Sequence, residues 1–369
     1  MSILLLLLIP AFIAAFAYLK NKQEITTGEF LIQMFMQSIL IFGIYTGVRH
    51  MQLQDTEIWN GRVTEKKREE VHCRHSYSCN CVTVRCGKSC STTVCQTCYD
   101  HAFDVDWNIF NNIGEDWSID TTDRQGLEEP AFWTAAKPGD PTSSKHDYTN
   151  YIKNSHVSLF NKGTATVAYP GYPDAIYGYY NLNRVVDVDG ILPDKAAWEA
   201  DVSSVSADLG RVNQANIIIY MVKNKPLEYF DGLNRAWSGA KENDIVVVMN
   251  VDGSSFTWVN TIALVKDEYF RVKLRDDILK IGRIDRAKIM QAIREDVTKH
   301  YVRRPMADFK YLLNATKLST GWFIVAFVLS IGISIGLAFI FANNEWRNDE
   351  GNSYRSRGGA WVRNRYRGW

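Results

Sequence analysis

Three apolar runs constrain this chain more than any other feature, because a stretch of about 20 uncharged residues is long enough to cross the hydrocarbon of a bilayer as a helix. Residues 3–19 carry no charge, residues 30–48 hold only Gln33, Gln37 and Ser38 as strongly polar members, and residues 322–342 form the third run. The first run contains Ala15-Phe16-Ala17, which resembles a signal-peptide cleavage site, but it lacks the basic residues that open a secretory signal. It is therefore read as a retained helix. The glutamines of the second run also suit a buried soluble helix, whereas the third run has no such competing reading. The expectation is three transmembrane helices bracketing an extramembranous region over residues 50–320.

Lys and Arg in short flanks mark the cytoplasmic side. The segment after the third run carries Arg347, Arg355, Arg357, Arg363, Arg365 and Arg367, and the first loop carries Lys20 and Lys22. This places both flanks in the cytoplasm and residues 50–320 outside it, against an opposing signal from Arg49, Lys66, Lys67 and Arg68. A formal net charge of +1 argues against a whole-protein polyanion binder. The tail, where Arg alternates with Gly, Trp and Tyr, suits nucleic acid or anionic headgroups. A disordered anchor that fixes topology explains it more simply, so the lipid bilayer and not nucleic acid is the expected partner.

All seven cysteines, Cys73, Cys79, Cys81, Cys86, Cys90, Cys95 and Cys98, fall in one polar stretch with His72, His75 and His101 among them. One reading is a disulfide-stapled module, which suits an oxidising compartment and a segment too polar to build its own core. The odd count then leaves one cysteine over. The other reading is zinc, with Cys95-x2-Cys98 and His101 as three ligands in one loop, although the spacings match no standard ribbon or finger.

Beyond the cysteines, Phe103, Val105, Trp107 and Ile109 alternate as on a half-buried strand. Residues 157–160 and 164–168 are further strand candidates. Pro138-Gly139-Asp140-Pro141 and Pro170-Gly171-Tyr172-Pro173 mark turns. Tyr177-Gly178-Tyr179-Tyr180 reads as a binding surface or, more simply, as packed aromatics. The texture then changes. Trp198, Val202, Val205 and Leu209 stripe a helix, and residues 217–222 form an apolar run suited to a strand covered on both faces. Leu227, Phe230, Leu233 and Trp237 stripe a second helix before a second buried strand at 245–249. Helices alternating with buried strands imply a βαβ unit. Asp252-Gly253 turns into a hairpin partner at 256–262, and Met290, Ile293, Val297 and Tyr301 stripe a last helix.

The run Val185-Val186-Asp187-Val188-Asp189-Gly190-Ile191-Leu192-Pro193-Asp194 resembles the V-D-x-x-G-x-L opening of the TPM-domain family, and the order of elements continues as in that family over residues 184–313. Gly358-Gly359-Ala360-Trp361 and Arg367-Gly368-Trp369 are a sparse version of the family's Gly-rich, aromatic ending. Trp258-Val259-Asn260-Thr261-Ile262 stands where the family carries G-x-G-x-E. Some plant members are acid phosphatases, so the resemblance implies Asp187, Asp189 and Asp252 as ligands for Ca or Mg at a phosphoryl site. The missing glycines argue against carrying that activity over. The cysteine segment with its lead-in Glu57-Ile58-Trp59-Asn60-Gly61-Arg62 is similar to segments of membrane proteins from large tailed bacteriophages, which implies the inner membrane of an infected bacterium.

No Walker loop, dinucleotide fingerprint, Gly-x-Ser-x-Gly elbow or His-Glu-x-x-His is present. Gly332 and Gly336 form a small-xxx-small pair in the third run, either a helix-pairing face that would support a homo-oligomer or a chance occurrence. The expected fold is an α+β membrane protein in five parts: two transmembrane helices in 1–49, a Cys-rich β module in 50–183, a TPM-like α/β domain in 184–315, a transmembrane helix in 320–343 and a basic tail in 344–369. The expected function is a non-enzymatic, membrane-anchored protein that binds other envelope proteins. The alternatives are a metal-dependent phosphatase, or a cytoplasmic zinc-binding adaptor if the topology is inverted.

Overall fold

A computed structural model describes residues 3–20, 27–85, 91–114, 116–153, 155, 168–173, 183–316 and 318–343. In chain order its elements are α1 (Ile3–Lys20), α2 (Thr27–Leu53), β1 (Gln54–His72), β2 (Ser76–Arg85), β3 (Ser91–Tyr99), β4 (Phe103–Asn111), β5 (Trp117–Ile119), α3 (Ala131–Ala135) and β6 (Pro141–Thr149). They continue as β7 (Val185–Asp187), α4 (Lys195–Asn213), β8 (Asn216–Lys223), α5 (Glu228–Ala236), β9 (Asp244–Asp252), β10 (Ser255–Ala263), α6 (Tyr269–Ile281), α7 (Arg286–His300), a 3-10 segment (Met306–Ala315) and α8 (Thr320–Asn343). The strand candidate at 157–160, nearly all of that at 164–168, Tyr177 to Tyr180 and the basic tail lie outside the described residues. The fold is α+β, in two compact units: residues 53–317, and the flanking helical segments.

In the helical unit, Thr27–Leu53 and Thr320–Ile340 are long and apolar enough to cross a membrane, and α1 is a shorter apolar helix. Leu6, Ile41, Phe323 and Ala326 pack between the helices, while Phe12, Phe16, Phe35 and Phe339 face outward. The glutamines of α2 face inward: Gln33 and Gln37 are buried. The Ser334 hydroxyl lies 3.0 Å from both the Pro10 carbonyl and Gln37 Oε1, so its one proton serves either acceptor and links the three helices. Ser38, Thr46 and Ser330 donate to carbonyls one turn back in their own helices. That leaves few hydroxyls unsatisfied on an apolar bundle. A side chain added at Gly332 or Gly336 would meet nothing within 4 Å, so packing within this chain does not use the pair.

The larger unit holds two four-stranded sheets and a two-stranded hairpin. The first sheet has the order β5-β4-β1-β6 and is antiparallel throughout. Its organising element is β1, whose 19 residues pair first with β6 and then, past an irregularity at Val63, with β4. The alternation expected around Trp107 is present: Val105, Trp107 and Ile109 are buried. The second sheet has the order β10-β9-β8-β7, with β7, β8 and β9 parallel and β10 antiparallel. The βαβ units implied by the sequence are therefore present.

Alternate residues of β8 and β9 serve opposite faces of this second sheet, the period-two consequence of the pleat. Ile217, Ile219, Met221, Ile245, Val247 and Met249 meet α4, α6 and α7, and Ile218, Tyr220, Val222, Val246 and Val248 meet α5. Each such fully buried side chain contributes about 1.5–3 kcal/mol relative to exposure. The expected helix stripes recur with two differences. Leu227 is exposed just before α5, and the sequence reading omitted α6, whose Phe270, Leu274 and Ile278 are fully buried.

Residues 50–183 and 184–315, separated in the sequence reading, belong to one unit because polar side chains of β1 are consumed by the second sheet. Asn60 donates to the Ala215 carbonyl and to Asn216 Oδ1, at 3.2 and 3.1 Å, and accepts from buried Arg184. Asn216 in turn donates to Asp244 at 2.8 Å. Burial pushes the Asp244 carboxyl up and draws Arg184 down to about 10. Asn243 donates to the Ile58 carbonyl at 2.6 Å. A side chain on Gly210 would collide with the Asn60 backbone, so α4 needs a glycine where β1 crosses it. Arg62 reaches Asp208 at 2.7 Å, and Arg303 bridges Glu57, which is 0% exposed, and Glu242 at 2.7 and 2.9 Å.

Removing Arg303 leaves two buried carboxylates without their shared cation. Arg303→Ala is expected to destabilise the larger unit by about 3–5 kcal/mol, the usual loss when one partner of a buried pair is removed. Chemical denaturation of the detergent-solubilised protein reads this, and a change below about 1 kcal/mol, as for an exposed pair, would show that the joint carries little.

Candidate functional site

The cysteine stretch forms β2 and β3, an antiparallel hairpin stapled by Cys79–Cys98 and Cys81–Cys95. The bridges span 19 and 14 residues. Each closes a loop whose entropy is worth about 3 kcal/mol in the chain-entropy account. Cross-linking substitutes for a core here. Val82 is 63% exposed, Val94 59% and Val84 51%, with Tyr77 and Tyr99 also exposed. Among the described residues, no other strand or helix packs closely on the hairpin. Cys95 and Cys98, which the zinc reading joined with His101, are instead each paired in a disulfide across the hairpin. Cys86 and Cys90 lie outside the described residues.

Cys73 takes no part in the bridges. It lies where the hairpin leaves the first sheet. The last ladder pair of β1 and β4 is His72 with Phe103, and the first pair of the hairpin is Ser76 with Tyr99. Residues 73–75 and 100–102 therefore break the ladder opposite each other, tied by one backbone bond from Asp100 N to the His75 carbonyl at 3.0 Å. Cys73, His75, His101 and Asp104 converge there, with one potential ligand atom of each lying within 4.8 Å of the others. Cys73 is 2% exposed and Asp104 5%.

Within this cluster Asp104 Oδ2 accepts from the Arg74 amide at 2.8 Å and lies 3.3 Å from His75 Nδ1, while Oδ1 lies 2.8 Å from His101 Nε2. The Arg74 amide, working against burial, holds the Asp104 carboxyl below its ordinary range, and Cys73, His75 and His101 add to the effect. Although close to one another, His75 Nδ1, His101 Nε2 and Asp104 Oδ1 make no properly directed hydrogen bond. Sequence spacing hid this group. Its members come as two short pairs, Cys73-x-His75 and His101-x2-Asp104, on either side of the hairpin, and Asp104 sits in a strand whose alternation marks it as an outward polar residue.

Among the described residues this is the one group of three or more Cys, His, Asp or Glu side chains placed to share an ion. Asp187, Asp189 and Asp252 are not brought together as such a group. Asp187 spends its carboxylate on the Ile191 and Leu192 amides, each at 2.8 Å, and Asp189 accepts from the Lys223 amide at 2.8 Å. Asp252 closes β9 at the Gly253 turn. Asp187 and Asp189 thus fasten loops, whereas Asp252 is exposed. Asp187→Ala is expected to lower stability by about 1–3 kcal/mol through two orphaned amides, and Asp252→Ala to change it by no more than about 0.5 kcal/mol. Denaturant titration of both variants compares them; equal losses would contradict the assignment.

Compared with known proteins, the chain matches no family model, no curated protein and no solved structure.

Proposed function

We propose that the protein is a membrane-anchored interaction protein: α1, α2 and α8 hold it in a bilayer, and residues 53–317 stand outside the cytoplasm to bind another envelope protein through the stapled hairpin. The observation that carries this reading is the hairpin itself, two strands with two disulfides and exposed valines on no core of their own. Oxidised pairs persist outside the cytoplasm. Exposed apolar residues held rigid lose little entropy on docking. The outward phenylalanines of α1, α2 and α8 support three spans.

The parallel sheet with helices on both faces supports assigning residues 184–313 to a TPM-like domain, used here as a scaffold. Its carboxylates fasten loops, which supports a non-enzymatic role over a phosphatase. The similarity of the cysteine segment to phage membrane proteins supports the inner membrane of an infected bacterium as the setting, with the host envelope as the source of the partner.

A photo-crosslinking residue in place of Val84 on the hairpin, introduced into the full-length protein in intact cells, tests the reading. It is expected to yield a discrete adduct with an envelope protein, lost when Cys79 and Cys98 are both replaced by Ser. The same probe at Val212, an exposed valine of α4, is expected to give none. Adducts equal at both positions, or indifferent to the cysteines, would sink it.

A further inference from the structure

We propose that Cys73, His75, His101 and Asp104 bind one zinc ion that knots the base of the hairpin. This goes beyond the docking reading and does not depend on it.

A two-stranded ribbon could run unbroken from β1 and β4 into β2 and β3, yet both arms leave the ladder over the same three positions, 73–75 and 100–102. The side chains brought together at the break are a thiol, two imidazoles and a carboxylate, with ligand atoms within 4.8 Å of one another. Metal–ligand bonds of about 2.0–2.3 Å put neighbouring donors of a tetrahedral zinc site roughly 3.3–3.8 Å apart. His101 Nε2 lies 2.8 Å from Asp104 Oδ1 and His75 Nδ1 lies 3.3 Å from the other oxygen, Oδ2, so small side-chain rotations bring both imidazoles to that spacing around one carboxylate oxygen.

The polar atoms of the cluster point the same way. Asp104 is 5% exposed, and its Oδ1, with His75 Nδ1 and His101 Nε2, finds no directed hydrogen bond although neighbouring polar groups abound. Atoms aimed at a shared point rather than at each other behave this way. Asp104 Oδ2 is meanwhile held by the Arg74 amide, the outer-shell contact that fixes a ligating carboxylate.

Chemistry selects the ion. A thiolate with two imidazoles disfavours calcium and magnesium, which take oxygen ligands, and four protein donors close the coordination shell as in a structural zinc site. On binding, the Cys73 thiol loses its proton to solvent and a zinc–sulfur bond forms, while both imidazoles stay neutral. One dication, one thiolate and one carboxylate sum to zero, so the cluster can be buried without a residual charge. Cys73 is also shielded from the oxidation that pairs its neighbours, which accounts for a thiol kept out of the bridges.

The test is metal analysis of the tag-free full-length protein in detergent, purified without chelator and then titrated with zinc. The expected result is one zinc per chain, with cobalt substitution giving a thiolate charge-transfer band. Cys73→Ala and Asp104→Ala are each expected to weaken zinc binding at least tenfold and, for Cys73→Ala, to abolish that band. Both variants are expected to retain Cys79–Cys98 and Cys81–Cys95 by peptide mapping, which shows that the hairpin still forms. No zinc in the titrated wild type, full zinc in Cys73→Ala, or Cys73 found in a disulfide with Cys86 or Cys90 would each overturn the proposal.

Discussion

Arg303 held between Glu57 and Glu242 is the contact on which the larger unit turns, because it ties β1 to the end of the second sheet's last helix through groups that water scarcely reaches. Taking an ion pair out of water consumes most of the Coulombic gain. Such a joint therefore adds more to uniqueness than to net stability. It works with the amide chain from Asn60 through Asn216 to Asp244, which fixes β1 against the first residues of β8 and β9. A slip of one residue along β1 would move Asn60 off its partners and bury its unsatisfied amide. Glycine at position 210 allows the close approach that makes this chain of bonds possible.

The parallel sheet was legible because its strands are apolar on both faces and its helices striped at 3.6 residues. Ile217 to Val222 and Ile245 to Met249 could be little else. The signal for α6 is also present, in Phe270, Leu274 and Ile278 at every fourth position. β1 was illegible for a physical reason. Its buried positions include Glu57, Asn60 and Gly61, since it faces polar partners on another sheet rather than an oily core, and its second half is a run of charges. Hydrophobic alternation cannot report a strand whose inward residues are polar.

The candidate site divides in the same way. Clustering of cysteines marked the segment that is stapled, but which of the described sulfurs are bridged and which is left free is set by register across the hairpin, which spacing along the chain does not encode. His75 and His101 were visible as residues interleaved with the cysteines, whereas Asp104 became a neighbour only through pairing of β4 with β1. Of the acidic residues suggested by resemblance, Asp187 and Asp189 fasten the loop after β7, while Asp252 is exposed at the end of β9. In the helical unit, the polar members of the apolar runs are informative for the opposite reason: Gln33, Gln37 and Ser334 are buried between helices, away from the outward phenylalanines.

The larger unit, with its stapled hairpin, is proposed to stand outside the cytoplasm in oxidised form. Labelling of intact cells with a membrane-impermeant maleimide, with and without an external reductant, tests it most directly, with the labelled cysteines identified by peptide mapping. Cys79, Cys81, Cys95 and Cys98 are expected to react only after external reduction. Labelling of these four only after lysis, and without reductant, would place reduced thiols in the cytoplasm and contradict both the topology and the docking role built on it.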